Sequence, residues 1–106
     1  MNVSKYEPTL CVGADVHLDE IVLRAVDKAL GHEVLQRFRV TNNLPGAQMA
    51  AIAIAQAAMD LAYARIEIGW ESTGMLWIPF HRYLSTEPAL QPFQLQLVCF
   101  NPKLVA

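Results

Sequence analysis

Two acidic residues stand where metal-assisted chemistry could be built. Asp15 closes an apolar run, Thr9 to Val16, and Glu71 closes a second, Arg65 to Glu71. If both runs are parallel neighbouring strands, the acids project beyond the carboxyl ends, where open α/β sheets hold their ligands. Neighbouring strands lie about 4.8 Å apart, so carboxylates at matching heights can share one divalent ion. Hard oxygen donors favour Mg²⁺ or Mn²⁺ over zinc. The competing reading is that both are ordinary strand-end acids in solvent. His17, two residues beyond Asp15, is the one histidine placed to point toward a substrate; His32 and His81 fall on other elements. Ser72 and Thr73 are expected to cap a helix, because no His–acid pair sits beside them to activate a nucleophile.

The elements that must position these acids follow from periodicity. Thr9 to Val16 is apolar on both faces, as suits a central strand buried between layers. Glu20 to Asp27 is a second strand, and Ala29 to His32 a break. Glu33 to Thr41 alternates, with Val34, Gln36, Phe38 and Val40 facing one way and Leu35, Arg37 and Arg39 the other. Short gaps between these runs call for antiparallel hairpins. Asn42 and Asn43 offer caps and Pro45 suits a first helical turn. An alanine-rich helix follows, with Met49, Ile52, Met59 and the intervening alanines forming a wide apolar face, and alanine's small size permits close docking on a sheet. After the Arg65–Glu71 strand, Ser72-Thr73-Gly74 turns the chain into a helix from Met75 to Leu84, with Pro79 tolerated near its start. Thr86 to Pro92 is a loop and Phe93 to Phe100 the last strand. Helical crossovers after the third and fourth strands then give a mixed five-stranded sheet in the order 3-2-1-4-5.

Composition narrows the function. The chain has 106 residues, enough for one small core, with residues 1–8 expected as a flexible lead and 9–106 as the domain. Hydrophobic residues are 54% of it and charged ones 17%, which excludes disorder. A net charge of −2, with scattered Lys and Arg, argues against a stand-alone nucleic-acid binder. Met1 to Pro8 has no apolar core of the kind a signal peptide carries. The stretch Leu44 to Ala64 is broken by Pro45, Gly46, Gln48, Gln56 and Asp60, so a membrane span, needing roughly 20 apolar residues, is not expected. Cys11 and Cys99 fit no metal or redox motif and are expected as reduced thiols in a cytosolic protein.

Three segments in order carry a resemblance: Val12-Gly13-Ala14-Asp15-Val16-His17; Trp70-Glu71-Ser72-Thr73-Gly74 with Trp77 and Pro79; and Val98-Cys99-Phe100-Asn101-Pro102. Together they resemble insertion-sequence transposases and pilin-gene invertases that carry an Asp-Glu-Asp-Asp tetrad on a ribonuclease H-like (resolvase-like) fold. The resemblance implies DNA recombination, with DNA as partner, a guide RNA for some members, and Mg²⁺ or Mn²⁺ held by Asp15 and Glu71. The other two aspartates of the tetrad match nothing here, which implies an amino-terminal part that is inactive alone. Asp19 and Glu20 replace the small or hydroxyl residues more usual after the first motif. Two alternatives accompany this reading. One is an actin-like kinase domain, which shares the strand order and the strand-one Asp but needs a glycine-rich turn that Val16 to Glu20 lacks. The other is a non-catalytic module that self-associates through uncovered apolar surface into a homo-oligomer.

Overall fold

The computed structural model describes residues 8–71 and 75–100. It contains the strands β1 (Thr9–Val16), β2 (Glu20–Asp27) and β3 (Glu33–Thr41), then α1 (Leu44–Asp60) and β4 (Arg65–Glu71). Helix α2 (Trp77–Ser85), a 3₁₀ turn at Pro88–Leu90 and β5 (Gln94–Phe100) complete the order. The sheet order is β3-β2-β1-β4-β5, with β1–β2 and β2–β3 antiparallel and β1–β4 and β4–β5 parallel. The expected mixed sheet is therefore present. The transposase motif residues Ser72, Thr73, Gly74, Asn101 and Pro102 lie outside the described residues, as does the amino-terminal lead up to Glu7.

One face of the sheet holds the core. Leu10 and Val12 of β1, Ile21 and Leu23 of β2, and Ile66, Ile68 and Trp70 of β4 are buried in a single cluster with α1, α2 and the 3₁₀ turn. The opposite face presents Cys11, Gly13 and Asp15 beside Val22, Arg24 and Glu67, and two grooves open on it. This corrects the expectation for β1. Its apolar residues suggested burial between two layers, whereas Leu10, Val12, Ala14 and Val16 pack on the core side and Gly13 and Asp15 are exposed on the other.

Helix α1 shows why the layers close so tightly. Asn43 caps it, its side chain accepting a hydrogen bond from the Gly46 amide at 2.8 Å, with Pro45 in the first turn. The buried side of the helix is Gly46, Ala47, Ala50, Ala51, Ile54, Ala55 and Ala58. Small residues let the helix backbone approach the sheet, and Met49, Ile52 and Met59 are exposed instead. Of the wide apolar face expected, the alanines do dock on the sheet, while the three large residues lie beyond the buried side. Gly46 is the tightest point: a Cβ there would strike the carbonyl of Thr41.

Strand β3 departs from strict alternation. Leu23 pairs with Phe38 and Ala25 with Leu35, so β3 carries an extra residue opposite Arg24, and a second shift follows before Glu33. These bulges turn Leu35, expected on the charged face, against the core with Val34 and Phe38. Helix α2 begins at Trp77, two residues later than Met75, and its cap Leu76 makes no side-chain hydrogen bond. The loop after α2 contains a fully buried Leu90, which periodicity gave no means to find.

At the amino-terminal end of β1, away from Asp15, a buried carboxylate locks the layers. Asp27 accepts hydrogen bonds from the Leu30 amide at 2.8 Å, the Ala29 amide at 2.9 Å and the Tyr63 hydroxyl at 2.8 Å. The Leu30 amide, followed by Tyr63, holds its pKa below the ordinary aspartate value. Cys11 and Cys99 are free thiols on strands separated by β4. Among the described residues no helix is long and apolar enough to cross a membrane.

Two outcomes are expected. Gly46→Ala should destabilise by roughly 1–3 kcal/mol in urea unfolding, because the Thr41 backbone cannot move aside; an unchanged midpoint would contradict the packing described. Because the folded pKa of Asp27 is depressed, its contribution is present above the unfolded value of about 3.9 and lost as pH falls through the folded value. The Tm gap between wild type and Tyr63→Phe should therefore hold steady from neutral pH and narrow only below about pH 4. A gap independent of pH down to strong acid would show that the hydroxyl does not act through the carboxylate.

Candidate functional site

The parallel register of β1 and β4 sets the site. Gly13 pairs with Gly69 and Ala14 with Trp70, so the next pair along is Asp15 with Glu71. Side chains alternate along a strand, which puts both acids on the face of the glycines, the one bare of helices. Asp15 and Glu71 are exposed and line one groove of about 640 Å³ with Gly13, Gly69, Arg24 and Arg37. The two sequence-derived acids are thus brought to one place by their strands.

The glycines form the floor. A Cβ added to Gly13 would meet nothing within 4 Å, so the space above this strand is open rather than filled by a neighbour. Beneath the floor, Trp70 packs against Trp77, Phe80 and His81 with ring centroids 5.7–6.1 Å apart. The Trp70 Nε1 is buried with no hydrogen-bond partner. These aromatics support the end of β4 from below.

His17 is tied to the site by its Nε2, 2.9 Å from Asp15 Oδ2. Its amide donates to the Glu20 carbonyl at 2.8 Å, and its carbonyl accepts from Asn42 Nδ2 at 2.7 Å. The β1–β2 turn is therefore engaged in its own hydrogen bonds and pinned to the start of α1. Asp19 contributes a backbone carbonyl to Asn42, and Glu20 lies 3.8 Å from Arg39. His32 and His81 are elsewhere and join no cluster with His17. Among the described residues no group of three or more His, Cys, Asp or Glu side chains could hold a metal.

No protein-family model matches this chain, and no curated protein matches it. Solved structures do. The chain is similar to an Aquifex aeolicus PPX-GPPA enzyme at 6% identity and a TM-score of 0.52, over 92% of this chain and 37% of that one. A type II variant of the Aquifex aeolicus Ppx/GppA phosphatase gives 6% identity and 0.50, over 89% and 36%. A further Aquifex aeolicus Ppx/GppA family member gives 6% and 0.52, over 92% and 36%. The chain spans little more than a third of the length of these structures. At this identity the likeness is one of fold alone.

This overturns the reading of the chain as a transposase fragment acting on DNA, and favours the actin-like alternative. The physical reason for the error is visible. The motifs that suggested a transposase are strand ends and turns that a sheet of this order supplies in either setting, and the neighbouring Asp–Glu pair is a product of the register. Sequence reasoning missed Arg37 as a groove residue; the signal was its position in a strand whose alternation fails beside it.

The open floor makes a direct check available. Gly13→Leu should fold with stability within about 1 kcal/mol of wild type, because its side chain enters empty space. A loss well beyond that in urea unfolding would show that the groove is closed in solution.

Proposed function

We propose that this chain is an actin-like domain that binds a phosphorylated compound with Mg²⁺ and contributes to hydrolysis of its phosphate ester or anhydride. The observation that carries the reading is the placement of Asp15 and Glu71 on adjacent parallel strands, on one face and at one height, above a glycine floor. The strand order alone serves ribonuclease H-like and actin-like domains equally, and the likeness to Ppx/GppA structures supports the second.

The donor set fits Mg²⁺. That ion keeps several waters and is held by one or two carboxylates together with substrate phosphate, rather than by a full protein cage. Two exposed carboxylates with room above them meet this demand, and a closed cluster of three or more ligands is not needed. When bound, Mg²⁺ would neutralise charge on phosphoryl oxygens. His17 orients the Asp15 carboxylate through Oδ2.

Hydrolysis is preferred to transfer from a nucleotide. A nucleotide's phosphates are cradled by free backbone amides in a glycine-rich turn. Here the turn after Asp15 has no glycine, its His17 amide is engaged with Glu20, and Asp19 adds negative charge.

Mn²⁺ titration followed by paramagnetic broadening tests the metal site. Wild type should bind weakly, broadening amides at the ends of β1 and β4, and Asp15→Asn or Glu71→Gln should weaken binding at least about tenfold. Binding indifferent to both substitutions would remove the basis of the reading.

A further inference from the structure

We infer that Arg37 is the anion anchor of this groove, gripping the phosphoryl oxygens of a ligand whose other side faces Asp15 and Glu71. The inference rests on the proposed phosphate-binding role and adds the residue that would recognise the phosphate itself. The open face carries three arginines on β2 and β3, and two of them are engaged. Arg24 Nε is 3.3 Å from Glu33 Oε2, and Arg39 Nη1 is 3.8 Å from Glu20 Oε1. Arg37 has no carboxylate partner among the described residues, yet it lines the same groove as Asp15 and Glu71.

Its face follows from alternation with the core-packed Phe38, and a backbone irregularity adjoins it. Between the pairs Leu23–Phe38 and Ala25–Leu35, Arg24 alone faces both Gln36 and Arg37. Bulges of this kind re-aim a side chain and recur beside functional sites. Arg37 therefore sits across the sheet from the acids, with Arg24 and the side-chain-free Gly13 between them. A planar guanidinium presents paired donors that match two phosphoryl oxygens. The groove thus has a cationic wall at Arg37, an open floor at Gly13 and Gly69, and an anionic wall at Asp15 and Glu71. A bare anion would be repelled by the acids, and a bare cation by the arginine. A phosphate carrying its divalent metal satisfies both walls at once.

The test is calorimetric titration of the full chain with inorganic phosphate, in Mg²⁺ and again in EDTA, alongside Mn²⁺ titration alone. Arg37→Gln should lower phosphate affinity in Mg²⁺ at least about tenfold, the scale of a charge-assisted bidentate contact. Arg37→Lys should fall between the two, since it keeps the charge and loses the fork. Arg39→Gln, on the same strand but paired with Glu20, should stay within about twofold of wild type. Arg37 is exposed, so none of these substitutions removes packing from the core. Phosphate affinity unmoved by Arg37→Gln, matched by Arg39→Gln, or absent in wild type would overturn the inference. The metal reading fails separately: Mn²⁺ binding insensitive to Asp15→Asn, with phosphate in EDTA still dependent on Arg37, would sink that reading and leave the anchor standing.

Discussion

The parallel pairing of β1 with β4 is the constraint on which the rest of the molecule depends. Gly13 opposite Gly69 fixes the height at which Asp15 and Glu71 leave the sheet, and a shift of one residue would send one of them to the helical side. A parallel pair cannot be joined by a hairpin, so the chain must cross over the sheet between them. Helix α1 is that crossover, and its alanine face is what lets it lie close. The cap at Asn43, the contact at Gly46 and the bond from Asn42 to the His17 carbonyl tie the start of the helix to the turn beyond Asp15. Crossover and site are one mechanical unit.

The ends of the sheet have different characters for the same reason. At the amino-terminal end of β1, Asp27 faces the core and has to be satisfied completely, by two amides and a hydroxyl. Without such partners the carboxylate would be left uncompensated against the core. At the other end, Asp15 and Glu71 face outward and make few protein contacts, Asp15 being bonded to His17. One acid is fixed by structure and the others are left available. That contrast, rather than acidity as such, separates a structural carboxylate from a candidate ligand.

Much of this was legible in the sequence, and the failures have physical causes. Strand boundaries came from apolar runs and turn residues, and the order 3-2-1-4-5 from short gaps followed by helical crossovers. Asp15 and Glu71 could be placed side by side because strand topology alone determines it. The docking of the α1 alanines was legible, but the limits of that face were not, since Met49 and Ile52 are apolar too while docking distance selects against them. Leu35 was misassigned because a bulge leaves no mark in composition. Leu90 in its 3₁₀ turn had no period to reveal it.

The deeper difficulty was function, and it lies in what a fold can specify. A sheet of this order with an acid at the end of its first strand supports chemistry on nucleic-acid phosphodiesters and on small phosphorylated compounds alike, so strand order and paired acids do not choose between them. The choice falls to what surrounds the acids. A duplex backbone demands a broad field of cations, and this face has Arg24 and Arg39 bound to acids of their own. A nucleotide demands free amides in the first turn, and that turn is closed on itself by His17 and Glu20. What is left is a groove with two carboxylates on one side and, on the other, the Arg37 guanidinium, which has no carboxylate partner among the described residues. The proposed metal-bound phosphate rests on these opposed charges, not on the fold.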